Sequence, residues 1–181
     1  KQPPKSFDAF GDNVIIELCR YDRVAFEDWE PYGVPTCVFL YNWGAYHALG
    51  FLPKRTPWRL AEQVNRFVEY GVQGLYLCGF AETFGLGGPA RYIHGRLLED
   101  CTRNPSLLLV EYCRAAFGDA HRPMRQMYEA MYRRLRTYPE LPYFVAPQRH
   151  RDMPRSAMDM VSYYYPPALV CLMHEKVTEA K

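Results

Sequence analysis

Thr56 to Phe80 reads T-P-W-R-L-A-E-Q-V-N-R-F-V-E-Y-G-V-Q-G-L-Y-L-C-G-F, and this stretch decides the fold. Thr56 can cap a helix, and Pro57 suits the first helical position because the N–H it lacks would be unpaired there anyway. Leu60, Val64, Phe67 and Val68 form the apolar stripe of that helix. Gly71 ends it as a left-handed residue. Val72 to Phe80 follows without a pause as a short apolar run, the pattern of a strand buried on both faces in a parallel sheet.

Upstream lie two more runs of the same kind, Asn13 to Cys19 (N-V-I-I-E-L-C) and Thr36 to Trp43 (T-C-V-F-L-Y-N-W). Between them is a polar connection, Arg20 to Pro35, that contains Phe26, Trp29 and Tyr32. The order strand, connection, strand, helix, strand is a βαβ signature. Downstream the period becomes helical. One segment runs from Arg91 to about Cys101. A second follows Asn104-Pro105-Ser106 and carries Leu109, Val110, Cys113 and Phe117. A third follows Asp119 with Met124, Met127, Tyr128, Met131, Tyr132 and Leu135. Leu141 to Pro154 reads as an irregular link, and Pro166-Pro167 opens a last helix with Leu169, Val170, Met173 and Val177.

The fold class is therefore α/β, with three parallel strands over residues 1–88 and a helical extension over 89–181. Three strands do not close a parallel barrel, and a complete eightfold barrel takes about 250 residues. Lys1-Gln2-Pro3-Pro4-Lys5 and Val177 to Lys181 both read as cut ends. The expectation is the C-terminal portion of a (β/α)8 TIM-like barrel, with its first strands on preceding sequence. An open α/β domain is the other option.

Composition narrows the partners. The chain has 181 residues, 49% hydrophobic and 23% charged, with a net charge of +2. That balance gives no electrostatic footprint for nucleic acid or an anionic membrane. No run of about 18 apolar residues suggests a membrane span, and the N-terminus lacks the apolar region of a signal peptide. Cys19, Cys37, Cys78, Cys101, Cys113 and Cys171 form no C-x-x-C pair, so no structural metal and no cofactor are expected. Three of them sit in apolar strand-like runs, as reduced thiols do. Aromatics reach 15%, and flat amphipathic rings suit the faces of sugars.

Three places carry a family resemblance. They are Gly71-Val-Gln-Gly-Leu-Tyr76, then Leu97-Leu98 with Asn104-Pro105 and Phe117-Gly118-Asp119-Ala120, and last Tyr164-Tyr165-Pro166-Pro167. In this order they resemble a bacterial domain-of-unknown-function family of glycosidase-superfamily barrels, akin to alpha-glucuronidases and beta-hexosaminidases. Where that family commonly has a Trp after the Leu-Leu pair, this chain has Glu99-Asp100-Cys101. The resemblance implies a carbohydrate ligand and a secreted or periplasmic setting. The reduced-looking cysteines leave a cytoplasmic one open.

Ligands of parallel barrels meet the C-terminal strand ends. Those ends hold Glu17 to Tyr21, Tyr41-Asn42-Trp43, and Cys78 to Phe84, with carboxylates at Glu17, Asp22 and Glu82. The resemblance makes Tyr41 a steadying group at the reacting centre and Glu82, after Phe80, an acid or base or a holder of sugar hydroxyls, with hydroxyl binding preferred. Trp43 would stack on a sugar ring, with Asn42, Glu17, His47 and Phe80 as further ligand contacts. Glycoside cleavage needs two carboxyl groups, about 5–5.5 Å apart for retention and 6.5–9.5 Å for inversion. In the relatives that pair lies on a middle strand, so the principal acids are expected outside this chain. His94, His121, His150 and His174 read as surface or helix residues. A non-catalytic carbohydrate-binding or assembly module is the rival to an O-glycosyl hydrolase, and the missing N-terminal part of the same protein is a possible partner.

Overall fold

A computed structural model of the chain describes residues 3–4, 6, 9–41, 55–78, 86–136 and 157–181. Three strands, β1 (Ile16–Leu18), β2 (Thr36–Tyr41) and β3 (Gly74–Cys78), make a sheet in the order β1-β2-β3, and both pairings are parallel. Leu18 pairs with Val38, and Val38 with Leu75. The ladder extends beyond the strands where the Ile16 N–H donates to the Pro35 carbonyl and the Gln73 N–H to that of Thr36, both at 2.9 Å. The expected α/β class with three parallel strands followed by helices is what the chain adopts.

The crossover from β1 to β2 differs from the expected polar connection. It contains a helix, α1 (Arg23–Trp29), opened by Asp22, whose carboxylate accepts from the Ala25 N–H at 2.9 Å. Ala25, Phe26 and Trp29 are its buried residues. Arg23, Glu27, Asp28 and Glu30 surround that narrow stripe, so the segment reads as polar along the chain.

The second crossover carries α2 (Pro57–Glu69), and its caps form as the residue types dictate. The Thr56 hydroxyl accepts from the Arg59 N–H, Pro57 opens the first turn, and Gly71 takes φ +64° just beyond the last. Phe26 and Trp29 of α1 and Phe67 of α2 join Leu18, Val38 and Leu40 in one core cluster. These strand residues share a single face by alternation, so both crossover helices cover that face. Two crossovers of one hand, stepping the same way along a sheet, produce this placement.

The opposite face corrects the expectation of strands buried on both sides. Glu17 is exposed, Tyr76 is 57% exposed, and no residue of β3 is fully buried. The strands also start later than their apolar runs: β1 begins at Ile16 rather than Asn13, and β3 at Gly74 rather than Val72.

The remaining helices are α3 (Gly88–Glu99), α4 (Pro105–Phe117), α5 (His121–Arg136), α6 (Ala157–Tyr164) and α7 (Pro167–Glu179). Asn104 caps α4 by accepting from the Ser106 and Leu107 N–H groups ahead of Pro105. Helix α6 had no counterpart in the sequence reading, and the expected link Leu141 to Pro154 lies outside the described residues. Helix α3 packs on α2, α4 on α3 and α2, α5 on α4, and α7 on α5. Their shared core holds Leu60, Val64, Ile93, Leu97, Leu108, Leu109, Met127 and Met131. Fully burying each such side chain contributes roughly 1.5–3 kcal/mol of transfer free energy.

Tyr132 sits inside this second core with no exposed surface, and its hydroxyl has no hydrogen-bond partner. A buried hydroxyl left unbonded costs about 1–3 kcal/mol. Tyr132→Phe removes the oxygen and keeps the ring, including its edge-to-face contact with Trp58. The variant is expected to gain about 1 kcal/mol, raising Tm by roughly 2–4 °C in a thermal melt. A lower Tm would show that the hydroxyl is bonded after all.

Candidate ligand-binding site

Of the residues assigned to a site from sequence, two fall in the described sheet. Tyr41 is the last residue of β2, its backbone in register with Cys78, and this is the last row of the β2–β3 pairing among the described residues. Glu17, in β1, is exposed and in register with Cys37. Cys37 and Tyr41 are four residues apart on β2, so Glu17 lies about 13 Å back along the strands from the Tyr41 row. The sheet therefore does not bring Glu17 and Tyr41 together. Asn42, Trp43, His47, Phe80 and Glu82 lie outside the described residues.

Asp22, the third carboxylate near a strand end, has a structural task. Besides capping α1 it accepts from the Arg20 guanidinium, with Nη2 at 2.7 Å. Burial pushes its carboxyl up, but the hydrogen bonds from Arg20 and Ala25 outweigh that and hold it below the usual carboxylate range. A carboxylate held ionised by a cap is poorly suited to donate a proton.

Two features near the sheet were not singled out from sequence. On the open face, Phe39 of β2 and Tyr76 of β3 are directly paired, and their rings stack with centroids 4.7 Å apart at 24°. Both lie two residues from the Tyr41–Cys78 pair on the N-terminal side. The strand alternation contained this signal, since Cys37, Phe39 and Tyr41 occupy every second position. Gly74 lies beside Cys37 on that face, and a Cβ there would fall 2.7 Å from the Cys37 Sγ, so a side chain at 74 would require the Cys37 side chain to move.

The second feature is a buried polar seam where α2 begins. Arg55 is 7% exposed and donates from Nη2 to the Tyr21 hydroxyl at 3.3 Å. Thr56, Gln63 and His94 are buried with it. His94 is on α3, in the helical region where the sequence placed it, but in the core rather than at the surface. Its Nε2 is buried without a hydrogen-bond partner. Burial, and then the positive charge of Arg55, push its pKa down to about 4.

Among the described residues, no three His, Cys, Asp or Glu side chains are placed to hold a metal ion. All six cysteines are free thiols. No helix among the described residues is long and apolar enough to cross a membrane. No protein family, curated protein or solved structure matches the chain.

The buried imidazole sets a pH dependence. Its folded pKa of about 4 lies below the ordinary 6.5, so as pH falls the unfolded chain takes up the proton first. The stability from a neutral His94 is complete above pH 6.5 and is lost as pH falls to about 4, at a cost of about 3 kcal/mol. Urea unfolding of wild type and His94→Leu at intervals from pH 7 to pH 4 measures this. The variant is expected to lose less stability across that window, and parallel curves would exclude His94 as the source.

Proposed function

We propose that the chain is part of a carbohydrate-active (β/α) barrel domain of the glycoside-hydrolase type, with its ligand at the C-terminal ends of β2 and β3. The observation that carries this reading is the one-sided sheet: successive parallel strands in sequential order, both crossover helices on one face, and aromatic positions on the other. A (β/α)8 barrel repeats that arrangement, with helices outside and the site at the carboxyl ends of the strands. In this reading the Phe39–Tyr76 pair is an interior layer beneath the mouth, and the Tyr41–Cys78 row is at the mouth. Tyr41 steadies the reacting centre, Trp43 offers a flat face to a sugar ring, and Glu82 accepts hydrogen bonds from sugar hydroxyls. General acid-base hydrolysis would use carboxyl groups elsewhere in the protein. The resemblance of Gly71–Tyr76, Leu97-Leu98 with Asn104-Pro105, and Tyr164–Pro167 to motifs of glycosidase-superfamily barrels supports this reading.

A second reading is a non-catalytic carbohydrate-binding module, and the exposure of Tyr76 favours it. A ring more than half open and stacked on Phe39 is itself a platform for a sugar.

Binding of a panel of oligosaccharides, measured by calorimetry on wild type, Trp43→Ala, Glu82→Gln and Tyr76→Ala, tests and separates the two. Loss of a stacking ring is expected to weaken affinity about tenfold. The barrel reading expects that loss in Trp43→Ala and Glu82→Gln. The binding-module reading expects it in Tyr76→Ala. Unchanged affinity in all three would remove both.

A further inference from the structure

Among the described residues β3 is one edge of the sheet, and its apolar side chains stay open on both faces. Tyr76 is 57% exposed on the open face. Leu77, which by alternation shares the helix-covered face with Leu75, is 41% exposed. A sheet edge presents unpaired N–H and C=O groups, and proteins blunt such edges with charge, proline or extreme shortness. The other edge, β1, is blunted in this way: it has three residues, and the central one is the exposed Glu17. Gly74–Cys78 has five residues, no charge and no proline. A strand that is apolar on both faces and unguarded along its edge is suited to pairing with another strand.

We propose that β3 pairs antiparallel with β3 of a second copy of this chain, across a twofold axis at Tyr76, joining two three-stranded sheets into one. In this register the strand matches itself. Tyr76 faces the partner's Tyr76, Leu75 faces the partner's Leu77, and Gly74 faces the partner's Cys78. Directly opposed aromatic and aliphatic pairs stabilise antiparallel strands, whereas like charges there oppose pairing. Strand β3 brings no charge to the axis, while β1 paired in the same way would set Glu17 against its own copy. Joining β3 to β1 of another copy would be head-to-tail, an arrangement that extends unless its rotation closes a ring. The twofold pairing covers both unguarded edges and leaves only the two that carry Glu17. It also brings the stacked Phe39–Tyr76 rings of both copies into one strip across the axis. Pairing needs no sugar, so the inference goes beyond both functional readings. It is compatible with the binding module, whereas a closed barrel would lay one of its own strands along β3.

Sedimentation of the full chain over a range of concentrations, without sugar, tests the pairing. Wild type is expected to pass from monomer to dimer and no further. Tyr76→Lys and Tyr76→Glu each set like charges against one another at the axis, and each is expected to weaken the dimer about tenfold or more. Mixing the two variants is expected to restore it, because lysine then faces glutamate. Damage to the fold would not be repaired by mixing. Glu17→Lys, on the other edge, is expected to leave the dimer unchanged. A wild type that stays monomeric, or a mass that keeps rising with concentration, overturns the proposal. So does a pair of Tyr76 variants that sediment as wild type, or a mixture that stays monomeric. Oligosaccharide calorimetry on the same samples reads the sugar platform separately. A dimer that binds no sugar keeps the pairing and removes the binding module, while a monomer that binds sugar through Tyr76 does the reverse.

Discussion

Helix α2 is the wedge on which the rest of the structure leans. Its Phe67 closes the sheet core with Leu18, Val38 and Leu40, while Leu60 and Val64 enter the core shared by α3, α4 and α5. One amphipathic helix thereby belongs to two hydrophobic clusters at once. Because burial is proportional to area removed from water, neither cluster could keep its apolar surface covered if α2 withdrew. The three strands alone are too few for a stable parallel sheet with a solvated helix layer. They meet the bundle through this helix.

That position has a cost, met where α2 begins. Arg55, Thr56 and Gln63 are buried along it, and His94 is buried on the neighbouring α3. Burying polar groups is unfavourable unless hydrogen bonds replace water. Thr56 caps the helix and Arg55 holds the Tyr21 hydroxyl, whereas His94 Nε2 has no partner. A buried guanidinium just ahead of one helix and a neutral imidazole on the next make this seam a polar part of the interior.

The sequence made the sheet class and most helix ends legible because local chemistry decides them. Thr56-Pro57, Gly71 and Asn104-Pro105 act through groups within one turn, and the structure uses each in that way. Helix α1 was missed because its apolar side is only Ala25, Phe26 and Trp29 among charged neighbours, so its helicity comes from docking on the sheet. The one-sided cover of the sheet was also invisible. An apolar run records that a strand is apolar, and not which of its faces a helix reaches. Of the proposed ligand residues, only the positions of Tyr41 and Glu17 fall in the described sheet. Their offset follows from a pairing register set by contacts across strands, which no single run of sequence carries.

The one-sided sheet divides its residues into two kinds of mutational freedom. Leu18, Val38 and Leu40 are fixed by packing against α1 and α2, and substitution there is felt first as lost stability. Glu17 and Tyr76 face outward and contribute little to that core. Selection acting on those two positions would therefore record what the protein touches rather than how it folds.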